Sequence, residues 1–138
     1  MKHLLVVFAQ FLAGVLALDN GLGLTPILGF NSWNVFACGV NETVMRATMD
    51  AFVSLGLRDA GYAQISIDDC WSISRDGNGN ILADPTSFPS GMKALADYAH
   101  ARGLKFGLYS SNSPKTCAQR PGSFGFENQD AQQYAAWG

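Results

Sequence analysis

The residues Ile65-Ser66-Ile67-Asp68-Asp69-Cys70-Trp71 end an apolar run in two adjacent carboxylates, a cysteine and a tryptophan. An ionised carboxylate accepts several hydrogen bonds and donates none. A sugar ring presents neighbouring hydroxyls, each of them a donor. Two carboxylates at one strand end are therefore hooks for hydroxyls of one ring, at about 1.5–3 kcal/mol per hydrogen bond to a charged group. Side chains alternate along a strand, so Asp68 and Asp69 need not point at each other. Trp33, Trp71 and Tyr109 offer flat apolar faces for the C–H side of a pyranose. Other readings stand beside this one. An acidic pair at a strand end also suits a metal site or a helix N-cap, and Trp33 and Tyr109 also suit packing. His3 and His100 supply no histidine-based triad, and Glu42, Arg46, Arg58 and Asp59 read as solvated helix-face charges.

Elements that could position these groups alternate along the chain. Ile27 to Trp33 is a short apolar segment ending in polar and aromatic residues. Asn41 to Leu55 reads as a helix, with Asn41 as N-cap and Val44, Met45, Thr48, Met49, Phe52 and Leu55 on one face. Tyr62 to Ile67 is a strand candidate, and Asp76-Gly77-Asn78-Gly79-Asn80 marks a turn within a hairpin-like excursion from Ser72 to Asp84. A helix from Met92 to Arg102, a strand from Lys105 to Tyr109, a loop from Pro114 to Phe126 and a helix from Gln129 to Trp137 follow. Strands alternating with helices imply parallel strands joined by right-handed crossovers. The first strand–helix turn has no G-x-G-x-x-G, which disfavours a dinucleotide-binding sheet. Asn31-Ser32-Trp33, Asp68-Asp69 and Tyr109-Ser110 all end strand candidates, as active-site residues do on one rim of a (β/α)8 barrel. The fold class expected is therefore α/β, a (β/α)8 TIM barrel with only about its first three βα units present. A barrel takes roughly 250 residues.

Met1-Lys2-His3, the apolar run Leu4 to Leu18 and the small-residue pattern Val15-Leu16-Ala17 read as a secretory signal peptide over residues 1–17. A single membrane anchor or a buried helix is the alternative for that run. Residues 18–138 are then the N-terminal part of the catalytic barrel. Removal of the leader leaves roughly 120 residues, enough for one core. The net charge of −2 and the lack of clustered Lys or Arg argue against nucleic acid as a partner. Asn41-Glu42-Thr43 is an N-glycosylation sequon. Three cysteines, Cys38, Cys70 and Cys117, leave one thiol either free or paired outside this chain. They are too widely spaced for a zinc site, and nothing in the sequence requires a metal or an organic cofactor. The ending Ala136-Trp137-Gly138 directly after a helix suggests a piece of a longer protein.

Leu28-Gly29-Phe30-Asn31-Ser32-Trp33-Asn34 resembles the G-W-N-S-W-N segment of family 27 glycoside hydrolases, the α-galactosidases or melibiases. Ile67-Asp68-Asp69-Cys70-Trp71 is similar to their I-D-D-C-W. Arg75-Asp76, the run Phe88-Pro89-Ser90-Gly91-Met92-Lys93-Ala94-Leu95-Ala96-Asp97-Tyr98, Gly107-Leu108-Tyr109-Ser110, Thr116-Cys117 and Pro121-Gly122-Ser123 follow the family's order and spacing. The resemblance runs from about Leu18 to Gly138.

It implies a secreted retaining α-galactosidase on a (β/α)8 barrel followed by a β-sandwich domain, with a vacuolar or lysosomal destination as a variant. Its substrates would be terminal α-galactosyl residues of oligosaccharides, galactomannan or galactolipid. Hydrolysis of α-N-acetylgalactosaminides or β-L-arabinopyranosides, or a non-catalytic carbohydrate-binding relic, are the alternatives. The resemblance implies that Trp33, Asp68, Asp69 and Tyr109 line the galactose pocket, the two acids holding hydroxyls that include the axial one at C4. It implies a Cys38–Cys70 disulfide and a partner for Cys117 that this chain lacks. Retaining hydrolysis uses two carboxyl groups about 5–5.5 Å apart. The family carries its nucleophile in a Y-L-K-Y-D segment expected past Gly138 and its acid/base later still, so no catalytic residue is expected here and the chain alone should be inactive. Ser111 and Ser113 stand where the family's Y-S-D-A-G loop has Asp and Gly.

Overall fold

Ile65 and Ile67 are fully buried while Gln64 and Ser66, alternating with them, are half-buried, and this alternation makes the central strand of the fold. The computed structural model describes residue 21 and residues 23–138; the leader expected over residues 1–17 lies outside the described residues. The strand is β2, Gln64–Ile67. It pairs in parallel with β1, Gly29–Asn31, on one side. Phe30 opposes Ile65 there. On the other side β2 pairs in parallel with the strand Lys105–Leu108, where Ile65 opposes Phe106 and Ile67 opposes Leu108. The chain is thus α/β, with an open three-stranded parallel sheet.

The crossovers are helical. The first carries a short helix α1, Trp33–Phe36, a single 3₁₀ turn and α2, Glu42–Ser54. The second begins with an antiparallel hairpin of β3, Ser72–Arg75, and β4, Ile81–Ala83, then passes into α3, Gly91–His100, and on to β5, the Lys105–Leu108 strand. The final helix is α4, Glu127–Trp137. Helix α2 packs on α3, and α3 packs on both β5 and α4. Met45, Met49 and Phe52 of α2 meet Met92, Leu95 and Ala99 of α3 over Ile65 and Ile67 in one core cluster. Burial of such side chains is the main driving force for closing these layers.

Several expectations change in detail. The first strand stops at Asn31, because Asn31 Oδ1 accepts from Trp33 N at 2.9 Å and Phe36 N bonds Ser32 O at 2.9 Å, turning the chain into α1. Asn41 is the N-cap of α2, its side chain accepting from Val44 N. Leu55 was expected on the buried face but is 74% exposed, since the helix ends at Ser54 and Leu55 is its C-cap. Glu42 was expected to be solvated but is buried. It accepts from Arg46 Nε at 2.8 Å and from the backbone of Ser90 at 3.0 Å, joining the start of α2 to the start of α3. Burial works to raise the Glu42 pKa, yet these Ser90 and Arg46 hydrogen bonds bring it below the ordinary carboxylate range.

The hairpin is held by one ion pair. Arg75 donates to both carboxylate oxygens of Asp130 in α4 at 2.6 and 2.7 Å, to Gly79 O at 2.8 Å and to Gly122 O at 2.8 Å. Its guanidinium also stacks 4.0 Å from the Phe126 ring centroid. Asp130 is 1% exposed. Burial pushes its pKa up, but the Arg75 hydrogen bonds, a Ser123 hydrogen bond and the Arg75 charge outweigh that and leave it lowered. A carboxyl with a lowered folded pKa stabilises fully above its unfolded pKa of about 3.9 and loses that stabilisation as pH falls further. Asp130→Asn in the complete protein should therefore cost about 3–5 kcal/mol at neutral pH by stranding a buried guanidinium. The deficit, read as a difference in thermal midpoint, should shrink below about pH 4. A constant deficit across that range would remove the ion pair as its cause.

Candidate functional site

All three parallel strands end on the same side, and the chain leaving each carries one or two of the expected site residues. Asn31-Ser32-Trp33 follows β1, Asp68-Asp69-Cys70-Trp71 follows β2, and Tyr109-Ser110 follows β5. In open α/β sheets, ligands bind outside these carboxyl ends.

Both acids lie just past the end of β2, in the turn that follows it, and their surroundings differ. Asp68 is half-buried. Its Oδ2 accepts from Asn31 Nδ2 at 2.8 Å and its Oδ1 from Asp69 N at 2.8 Å. A carboxylate has about four acceptor sites, so each Asp68 oxygen keeps roughly one for an outside donor. Asp69 is 2% exposed. Its Oδ1 accepts from Cys70 N at 2.8 Å and Thr116 Oγ1 at 2.7 Å, and its Oδ2 from Ala118 N at 2.8 Å. About one acceptor site remains on it. Neither acid meets an arginine or lysine within salt-bridge range among the described residues.

The β1 end shapes the position of Asp68. Ser32 is fully buried, and its Oγ accepts from Asp68 N at 2.9 Å while its own N donates to Ser66 O at 3.1 Å. Asn31 uses both ends of its amide, taking Trp33 N on Oδ1 and giving Nδ2 to Asp68. Trp33 is 40% exposed. Trp71 is not available as a platform. It is 2% exposed, its Nε1 donates to Tyr109 O at 2.8 Å, and it packs edge-on against Tyr134 and Trp137.

Tyr109 is half-buried, and its backbone N donates to Ile67 O at 2.9 Å. Its phenol lies 3.9 Å from Cys117 Sγ. That hydrogen bond raises the phenol pKa above its ordinary value. Burial adds to the rise, as do the charges of Cys117, Asp69 and Asp68. Thr116 and Ala118, on either side of Cys117, both donate to Asp69, so the phenol and the acids share one rim. Cys38 and Cys70 form a disulfide with Cα atoms 5.2 Å apart, joining the chain after β1 to the chain after β2. Cys70 sits at φ 75°, a left-handed conformation uncommon for a side-chain-bearing residue. Cys117 is exposed and unpaired among the described residues.

The loop after β5 folds over this rim. Lys115 bridges Pro121, and Gly122 packs so closely that a Cβ there would lie 1.9 Å from Ser113 O. Ser111 and Ser113 bond each other through their hydroxyls at 2.8 Å, and Ser123 N donates to Ser111 O at 2.8 Å. At the positions where Asp and Gly were expected, the two serines form a local hydroxyl pair, while backbone bonds from Gly122 and Ser123 close the loop. Among the described residues, no three His, Cys, Asp or Glu side chains gather as a metal cage.

Ser32, Asn31 and Thr116 shape the site but were not assigned roles from sequence. A hydroxyl or amide reveals such a role only when its partner, more than thirty positions away, is known. Ser32→Ala leaves the Asp68 N–H without its acceptor, and Thr116→Val removes one of the three donors on buried Asp69. Each should cost about 1–3 kcal/mol, read as a lower unfolding midpoint of the complete protein. The Asp68 amide should exchange with solvent faster in the Ser32 variant. An unchanged midpoint in both would mean that the two hydroxyls are not supporting the acids.

A family model described as "Alpha galactosidase A" (Melibiase_2) matches residues 25–138. The chain is 54% identical over 127 residues to a probable alpha-galactosidase of Dictyostelium discoideum, covering 92% of this chain and 33% of that protein. It is 59% identical over 117 residues to alpha-galactosidase A of Cellvibrio japonicus, covering 85% and 29%. The alpha-galactosidase of Saccharomyces cerevisiae, also solved with raffinose, superposes with a TM-score of 0.82 at 49% identity, covering 86% of this chain and 26% of that one. Alpha-galactosidase I of Mortierella vinacea superposes with a TM-score of 0.83 at 45% identity, covering 87% and 30%. The chain spans about a third of the length of the curated relatives it matches.

Proposed function

The chain belongs to the alpha galactosidase A family, and from that premise we propose that it is the N-terminal part of a secreted, retaining α-galactosidase. The complete protein would close the open sheet into a (β/α)8 barrel. It would hydrolyse terminal α-linked galactose from oligosaccharides, galactomannan or galactolipid, and deliver its activity outside the cell or to a vacuole or lysosome. A relative solved with raffinose supports a galactose-containing saccharide as substrate.

The observation that carries this reading is that three parallel strands end on one side, with Trp33, Asp68, Asp69 and Tyr109 in the chain leaving them. Trp33 offers a flat face to the ring. Asp68 supplies two outward acceptor sites for neighbouring hydroxyls, and Asp69 about one. Tyr109 keeps its proton and serves as a donor to a sugar oxygen. A buried acceptor built for a hydroxyl rejects an epimer that misplaces it, because the acceptor is then left unpaired. The disulfide and Ser32 hold these groups in place before the sugar arrives.

Asp68 and Asp69 do not perform the bond cleavage. That step takes a nucleophile and an acid/base on opposite sides of the anomeric carbon. Neighbours along one strand end, with one of them buried against Thr116 and Ala118, do not meet that requirement. Both catalytic carboxylates are assigned to the sequence that follows Gly138. The partner of Cys117 is assigned there too.

The complete protein should hydrolyse an aryl α-D-galactopyranoside and leave the α-glucoside, its C4 epimer, largely intact. Residues 18–138 alone should hydrolyse neither. Asp68→Ala in the complete protein should lower kcat/KM roughly 10- to 150-fold for each sugar hydrogen bond lost, from about 1.5–3 kcal/mol apiece. Preference for an α-N-acetylgalactosaminide or a β-L-arabinopyranoside would move the protein to a sibling activity. Sugar binding without turnover would make it a carbohydrate-binding relic. A full kcat/KM in a well-folded Asp68→Ala protein would overturn the pocket assignment. Thiol labelling of the unreduced, denatured complete protein should leave Cys117 unmodified.

A further inference from the structure

We propose that Asn41 carries an N-linked glycan while still capping α2, because the two roles use different atoms of one side-chain amide. Asn41-Glu42-Thr43 is an acceptor sequon. In the folded chain Asn41 Oδ1 accepts from Val44 N at 3.1 Å, and the residue is extended at φ −152°, ψ 170°, as an N-cap is. Its Nδ2 makes only a long contact, 3.3 Å, to Gly39 O. Glycan transfer forms a bond between Nδ2 and C1 of the first sugar. It breaks the C1–O bond to a lipid-linked diphosphate, which leaves with its electron pair while one amide proton is released. Oδ1 is untouched, and Nδ2 keeps one N–H. The helix cap therefore survives modification.

The surroundings fit an attached sugar. Thr43 is exposed, and Asn41 borders an open groove shared with Thr43, Arg46 and Thr86. Three residues upstream, Cys38 is in a disulfide, a bond that persists in oxidising compartments. Eukaryotic cells hold the lipid-linked sugar donor in such a compartment. Because α2 follows the C-terminal end of β1, the glycan would stand on the same side of the sheet as Asp68, at its periphery.

This inference rests on the secretory reading, and the test separates the two. The complete protein is translated with microsomes in three forms: unaltered, Asn41→Gln and Thr43→Ala. Protease protection reports entry, and glycopeptide mass spectrometry reports occupancy at Asn41. The expected result is protection of all three and a glycan at Asn41 only in the unaltered form. The Thr43→Ala protein keeps the cap, so its unfolding midpoint should stay above that of Asn41→Gln. A second set carries a proven secretory leader in place of residues 1–17, so that a failure of the native leader does not hide the sequon. Protected protein from that set with Asn41 unmodified would overturn the proposal. A glycan that appears only with the borrowed leader would support the sequon and count against the native leader alone.

Discussion

Asp69 is an ionisable group lying almost wholly out of water at the end of the central strand. An isolated buried carboxylate is heavily penalised, so such a group persists only where donors replace its hydration. Here the donors come from the next residue in the chain and from the loop after β5, through Thr116 and Ala118. The requirement acts as a long-range constraint. The loop must return to β2, and its return brings Cys117 to the phenol of Tyr109, whose own backbone already bonds Ile67. A carboxylate at position 69 thus organises the rim whether or not it touches a ligand.

Asp68 is the complementary case. It is one residue away, is only half-buried, and has one hydrogen-bond partner on each oxygen. Its neighbours orient it without saturating it. Ser32 fixes its backbone, and Asn31 ties one of its oxygens to the start of α1 and so to the Trp33 indole. Hydrogen bonds to each carboxylate offset the repulsion expected of adjacent acids, and among the described residues no cation pairs with either. The disulfide spans the same two loops, so covalent and polar links hold the β1 and β2 ends together.

A second polar knot lies beyond the rim. Arg75 gathers the hairpin turn, the loop around Gly122 and Asp130 of α4 around one guanidinium. A planar, always-charged fork suits this task better than a lysine, because it can bind both carboxylate oxygens and two carbonyls at once. Trp71 supplies the apolar counterpart, packing on Tyr134 and Trp137 while bonding Tyr109 O. The excursion between β2 and α3 is therefore part of the support for the third strand.

The order of elements, the Asn41 cap, the hairpin turn and the motif residues could all be read along the chain, because each depends on neighbours a few positions apart. Local periodicity also placed Met45, Met49 and Phe52 on the buried face of α2, and it failed where the helix ended, at Leu55. Folding alone decided which polar residues serve as supports. Ser32, Thr116, Glu42, Arg75 and Asp130 look like ordinary surface types until partners dozens of positions away surround them. Tertiary structure likewise separated Trp33 from Trp71, and Asp68 from Asp69. Burial belongs to the packed assembly, and two identical side chains take opposite roles according to which of them the surrounding chain covers.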